Sequence, residues 1–229
     1  GTKVCNVSFN LREREILGFA GLVGAGRTEL MRLIFGVDKP DSGRIFLNGV
    51  EIKISNPRDA IQNRICLLTE DRKKHGLVLN HSCRENFGLP NLKKYIRFLF
   101  VDKKKERNAF DSYVNHLKIK ISDHESMVSS LSGGNQQKIV LAKWLETNSD
   151  IIIFDEPTRG IDVGAKYEIY MLINQLANEG KSIIIVSSEL PELLGICNRI
   201  IVMHEGYFKG EVNETTTITQ EDILKIAIS

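Results

Sequence analysis

The stretch EILGFAGLVGAGRTELMRLIF, residues 15–35, carries three patterns in succession. Glu15 to Ala20 reads as a strand. Gly21 to Gly26 is a glycine-rich turn, and Thr28 to Phe35 is a helix with Leu30, Leu33 and Ile34 on its apolar side. Gly21, Gly24, Ala25, Gly26, Arg27 and Thr28 fall on the pattern G-x-x-x-x-G-K-[ST] of a phosphate-binding loop, with Arg27 where the lysine stands. Backbone N–H groups freed by the glycines can converge on phosphate oxygens, the helix presents its positive end, and the Thr28 hydroxyl can reach a magnesium ion.

Outward from this unit, strand and helix patterns alternate, which predicts an α/β architecture with a largely parallel sheet. Asn48-Gly49 and Glu205-Gly206 each sit between two strand-like runs and predict hairpins, the first an antiparallel element after the opening helix. Ser55-Asn56-Pro57 caps a short helix, Ile65 to Leu68 reads as a buried strand, and Thr219 as the N-cap of a closing helix. Strand patterns follow at Ile151 to Phe154 and Ser182 to Val186, with helices over Gly164 to Asn178 and Pro191 to Leu194. From Cys83 to Leu145 no strand pattern is visible. The expectation is one domain over residues 1–229, with an α/β core at 1–82 and 146–229 and a helical insertion at 83–145. That insertion ends in a helix starting near Ser132 and burying Ile139, Val140 and Trp144.

Of the 229 residues, 42% are hydrophobic and 26% charged, with a net charge of +2, which excludes a disordered chain, a collagen-like repeat and a strongly basic nucleic-acid coat. No apolar run approaches the roughly 20 residues of a membrane-crossing helix. The cysteines Cys5, Cys66, Cys83 and Cys197 have no C-x-x-C or other metal-ligand spacing, which suits a reducing compartment. The opening residues show no basic-then-apolar leader.

Two further segments carry chemistry. Asp155 and Glu156 follow four apolar residues, so both acids lie at the C-terminal end of a buried strand, where parallel-sheet ligand sites form. Asp155 suits a role in holding magnesium, and Glu156 in polarising an attacking water. Leu131, Ser132, Gly133, Gly134 and Asn135 open a helix with a serine and two glycines, a second helix N-terminus suited to phosphate.

With LSGGNQQK at 131–138 and FDEPTRGID at 154–162, the chain resembles the ATP-binding domains of ABC transporters. GLVGAGRTEL, TEDRKKHGL, DEPTRGIDVGAK, SSELPEL and RIIVMHEG extend the likeness over nearly the whole chain. They narrow it to the C-terminal half of the fused ATP-binding subunit of bacterial monosaccharide importers of the ribose and galactose type. The resemblance implies a P-loop NTPase fold with a RecA-like core, and ATP and Mg²⁺ as ligands. It also implies a second ATP-binding half facing this one head to tail, so that Ser132 and Gly134 reach the partner's nucleotide and Asp162 links the two sites. Membrane-spanning permease subunits and, indirectly, a sugar-binding protein are the implied partners, at the cytoplasmic face of the bacterial inner membrane, with no nucleic acid.

The departures from that family point to a degenerate site. Arg27 replaces lysine with a planar fork. Glu29 stands where a second Ser/Thr is usual, and its carboxylate can satisfy the helix N-terminus in competition with nucleotide. Glu70 takes the Q-loop glutamine position and can still attract Mg²⁺. Ser188 aligns with the switch histidine and cannot act as an imidazole relay, leaving Glu156 without its usual helper. Lys93, Lys94, Arg97, Lys103, Lys104, Lys105 and Arg107 read as a solvated face rather than a surface for nucleic acid or anionic lipid, Phe98 to Val101 as core packing of the insertion rather than the seat of a coupling helix that the family resemblance implies, and His75, His81 and His124 as solvated side chains.

Overall fold

β1 (Ile16–Ala20) is buried at every position. It pairs in parallel with β8 (Ser182–Val186) on one side and with β9 (Arg199–His204) on the other. Burial on both faces explains why these strands are near-continuous apolar runs rather than alternating patterns. β7 (Ile151–Asp155) pairs in parallel with β8, and β10 (Tyr207–Val212) closes the opposite edge antiparallel to β9. With β4 (Ile65–Leu68) the sheet has six strands in the order β10-β9-β1-β8-β7-β4. The C-terminal ends of β1, β8 and β7 therefore lie side by side.

This computed structural model describes residues 3–213, 215 and 218–228. The chain divides into two units, Gly1–Leu67 with Asp150–Pro157 and Ile173–Ser229, and Leu68–Ser149 with Thr158–Leu172.

In the first unit, α1 (Arg27–Phe35) follows β1, and β2 (Ile45–Leu47) pairs antiparallel with β3 (Val50–Ile52). Asn48 and Gly49 both have positive φ, 51° and 79°, as a two-residue primed turn requires. α2 (Pro57–Gln62) is capped by Asn56, whose side chain accepts from the N–H groups of Arg58 and Asp59. α8 (Leu190–Ile196) follows β8. In α9 (Gln220–Ile228), Thr219 and Asp222 exchange hydrogen bonds as a capping pair. The Glu205-Gly206 turn, with φ of 49° and 85°, does more than join β9 to β10. Gly206 donates its N–H to Ala25 O at 3.0 Å and accepts the Cys5 N–H at 2.8 Å, which fastens the N-terminal segment to the phosphate loop.

The second unit is built from α3 (Cys83–Gly88), α4 (Leu92–Tyr95), α5 (Lys103–His116) and α6 (Gly133–Leu145) around Phe87, Tyr95 and Phe110. Phe87 and Phe110 stack with centroids 5.1 Å apart. Arg84, 4% exposed, pairs with the buried Glu106 and with Glu125, so each of these two buried charges has a partner. α7 (Val163–Asn178) follows the segment after β7.

Four expectations need correction here. The 83–145 stretch contains strands, a two-residue pair of β5 (Ile96–Arg97) and β6 (Phe100–Val101), too short to leave a periodic pattern. Phe98, Leu99 and Phe100 are not core residues, being 90%, 92% and 79% exposed at its tip. His124 is not simply solvated, because it bonds Asp111 at 2.6 Å and packs edge-on against Phe110. Trp144, expected to be buried with Ile139 and Val140, is only partly so.

Candidate functional site

The chain leaves the buried end of β1 at Ala20 and turns through Gly21, Gly24 and Gly26 into α1. Gly26 is the N-cap at φ 91°, a left-handed conformation that a side chain would strain, and an added Cβ would meet the Gly206 backbone at 3.0 Å. Leu22, Val23, Gly24, Ala25, His204 and Glu205 line a cleft of about 340 Å³ on this loop.

Thr28 and Asp155, distant in sequence, are brought together by the sheet order, in which only β8 lies between β1 and β7. The Thr28 hydroxyl donates to Asp155 Oδ1 at 3.1 Å. Burial raises the Asp155 carboxyl to about 6, helped by the neighbouring Glu156 charge and opposed by the Thr28 bond and Arg27. Two hard oxygens about 3 Å apart match neighbouring corners of the octahedron that magnesium demands, so this pair fits Mg²⁺ with phosphates and waters completing it. Among the described residues no cluster of three His, Cys, Asp or Glu could hold a metal by itself.

Arg27 is 7% exposed and turned away from solvent. Its guanidinium donates to the Ser187 carbonyl at the end of β8 and lies 3.7 Å from Glu156 Oε1. Burial lowers its pKa, against the pull of Glu156, Asp155 and Glu29. Glu156 also accepts from the Ser188 hydroxyl at 3.2 Å, so Ser188 is its partner even though it is no imidazole. The Glu156 backbone has φ 49°, a left-handed conformation uncommon for a residue other than glycine. Burial raises its pKa, opposed by Arg27 and Ser188, and a raised carboxylate is the better proton acceptor. Glu29 does not cap α1 as expected. Among the described residues its carboxylate makes no hydrogen bond, and it acts on Arg27, Arg32 and Asp155 through charge alone.

In the second unit, Ser132 is the exposed N-cap of α6, its hydroxyl accepting from the Asn135 side chain at 3.0 Å, while Asn135 accepts the Lys120 N–H at 2.8 Å. Leu131 accepts from the Gln136 side chain through its carbonyl at 3.2 Å. The two glycines allow close packing on the 158–165 segment. A Cβ on Gly133 would meet Arg72 at 2.7 Å, and one on Gly134 would meet Ala165 at 2.9 Å. Asp162 is exposed and accepts the Ala165 N–H at 3.0 Å, capping α7. Glu70 is ion-paired with Arg159. Of the three residues expected to hold metal, Thr28 and Asp155 are hydrogen-bonded to each other, whereas the charge of Glu70 is answered by an arginine.

Sequence reasoning missed Ser187, Arg72 and Arg159. Ser187 contributes a backbone carbonyl, which leaves no residue-type signature. Arg72 donates to the Arg159 and Gly160 carbonyls at 3.0 and 3.4 Å, partners almost ninety positions away. No local pattern announces such pairs.

A family model described as ABC transporter matches residues 4–159. The chain is 52% identical over 222 residues to the ribose import ATP-binding protein RbsA of Lactococcus lactis subsp. cremoris (strain SK11), covering 97% of this chain and 45% of that protein. It is 53% identical over 226 residues to the protein of the same name from Clostridium perfringens (strain 13 / Type A), covering 98% and 45%. The chain therefore spans about half the length of the curated relatives it matches. Among solved structures, an ATP-binding cassette of an ABC transporter in its ADP conformation superposes with a TM-score of 0.82 at 21% identity, covering 99% of this chain and 92% of that one. A dimeric cassette in a post-hydrolysis state, bound to ADP and Pi, gives 0.77 at 23% identity, covering 92% and 90%. At these identities the solved structures speak to the fold alone. The family match runs through most of the chain on that same fold, and the chain belongs to the ABC transporter family as an ATP-binding domain.

Proposed function

We propose that this chain is an ATP-binding half-module that energises ABC-type import of a monosaccharide, ribose by the names of its relatives. Its own nucleotide site is degenerate, and its Ser132-Gly133-Gly134 helix start completes the competent site of a second ATP-binding half. It acts with permease subunits and, through them, a sugar-binding protein, at the cytoplasmic face of the inner membrane. The observation that carries this reading is the commitment of Arg27 to Ser187 and Glu156. To serve a phosphate, Arg27 must give up a charged hydrogen bond worth roughly 1.5–3 kcal/mol, which weakens nucleotide binding by about tenfold to a hundredfold.

Thr28 and Asp155 would hold Mg²⁺, which when bound neutralises charge on the phosphates. Glu156 is the group to take the proton of an attacking water, and Ser188 orients its carboxylate. In the partner's site, Ser132 supplies a hydroxyl and α6 its positive N-terminus to the phosphate. The double hold on Glu156 by Arg27 and Ser188 also favours a second reading, a nucleotide-gated module with negligible turnover of its own.

Titration of the chain with Mg-ATP, followed by phosphate release on the same sample, tests the proposal. Weak binding with negligible turnover is expected. Brisk turnover that disappears in Glu156→Gln would refute the degenerate site. In the two-module transporter, Ser132→Arg should abolish transport-coupled hydrolysis and Arg27→Ala lower it only partly; equal losses would refute the division of labour.

A further inference from the structure

The β5–β6 hairpin projects Phe98, Leu99 and Phe100 into solvent at 90%, 92% and 79% exposure, with Ile96 half exposed beneath them. Large apolar side chains this exposed and contiguous mark a surface that something covers. The turn is also strained. Phe98 has φ 57°, a region that bulky residues avoid and that glycine or asparagine would occupy freely. Strain retained at an exposed apolar tip points to a use for that tip.

The base of the hairpin is fixed. Asp102 donates its N–H to Tyr95 O at 2.7 Å, the Tyr95 ring is buried, and its hydroxyl donates to Glu146 at 2.6 Å. Lys105 donates to the Lys94 carbonyl across the same base at 2.8 Å. The apolar finger is thus held on an ordered stem rather than hung from a loose loop.

Cations flank the stem on both sides. Residues 93–107 hold Lys93, Lys94, Arg97, Lys103, Lys104, Lys105 and Arg107 against Asp102 and Glu106, a local net charge of +5 in a chain of +2. All seven cations are exposed, whereas Glu106 is buried against Arg84. From the Tyr95–Asp102 pair to the tip is three residues, about 10 Å at the rise of an extended strand. Apolar faces of interfacial segments reach about 5–10 Å into the headgroup and acyl boundary. A finger of that length would put its lysines level with lipid phosphates.

We propose that the Ile96–Val101 hairpin is an interfacial anchor that inserts Phe98, Leu99 and Phe100 into an anionic lipid surface, with the flanking lysines on its headgroups. A second copy of the chain is disfavoured, because two rings of like charge would meet. Among the described residues no helix is long and apolar enough to cross a membrane, so any contact of this chain with lipid through helices would be peripheral. The inference goes beyond the reading of the nucleotide site and stands on separate residues.

The test is flotation of the chain with phosphatidylglycerol–phosphatidylcholine vesicles and with pure phosphatidylcholine vesicles, at low and high salt. Binding to anionic vesicles that salt weakens is expected. Lys103→Ala with Lys104→Ala should lower the partition coefficient about fivefold per charge removed, and Phe98→Asn with Leu99→Ser about tenfold. Unchanged thermal midpoints in both variants would show that the fold is intact. Equal partition into neutral and anionic vesicles, full binding by the Phe98→Asn, Leu99→Ser variant, or no binding to anionic vesicles at low salt would overturn the proposal. So would tip-dependent binding to purified permease with tip-independent binding to vesicles, which would assign the hairpin to a protein partner.

Discussion

Replacing Lys143 by methionine should change the sign of its effect on stability between pH 7 and pH 10. Lys143 lies on α6, is 8% exposed, and donates to the Gly76 carbonyl with its ammonium 5.4 Å from the Trp144 ring. Burial alone lowers its pKa from 10.5 to about 8. At pH 7, below both values, the folded chain carries a desolvated charge, and the gap of about 2.5 units corresponds to a cost of about 3 kcal/mol. Between pH 8 and 10.5 the unfolded state binds more protons than the native one, so stability attributable to this group rises with pH. By pH 10 only about 1 kcal/mol of the cost remains. Methionine removes the charge at similar volume but leaves the Gly76 carbonyl without its donor, a loss of roughly 1–2 kcal/mol. The variant should therefore be more stable than the parent by about 1–2 kcal/mol at pH 7 and slightly less stable at pH 10. Other groups titrate in this window, including Cys83, which burial pushes up to about 11, but they cancel in the difference. Trp144 is the only tryptophan and adjoins the site, so its fluorescence during urea unfolding reads out this unit. A stability difference that stays constant from pH 7 to pH 10 would refute the reasoning.

Two further perturbations follow from the site. Thr28→Val removes the hydroxyl paired with Asp155 and should abolish most of the enhancement that Mg²⁺ gives to nucleotide binding, measured by titration with and without the metal, while leaving the thermal midpoint within about 3 °C. Gly134→Val drives a side chain into Ala165, where even a Cβ would sit at 2.9 Å, and should cost about 1–3 kcal/mol in urea unfolding; an unchanged midpoint would mean that the helix start and the 158–165 segment are not packed as described.

Elements defined by local chemistry were legible in the sequence. The β1–loop–α1 unit, the acids ending β7, the Asn48-Gly49 and Glu205-Gly206 turns and the Asn56 and Thr219 caps each carry their cause within a few residues. The β5–β6 hairpin was not legible, because its turn uses Phe98 where a glycine or asparagine would have announced it, and because two-residue strands have no period. Nor were the partners of Arg27 and Glu70. Substituting arginine for lysine predicts a poorer phosphate ligand. Only the folded chain shows where the guanidinium goes, since Ser187 and Glu156 reach it through strand order. Arg159 meets Glu70 by the same long-range logic. The reading of Glu29 as a helix cap failed because Gly26 leads into α1 with nothing turning the carboxylate back onto its N–H groups.

The two backbone hydrogen bonds made by Gly206 have a practical outcome for labelling chemistry. They join residue 5 to the phosphate loop through a single turn. Cys5 is partly exposed, whereas Cys66, Cys83 and Cys197 are buried. A maleimide dye should therefore react first at Cys5 and report ligand-induced movement of the loop without any engineered cysteine.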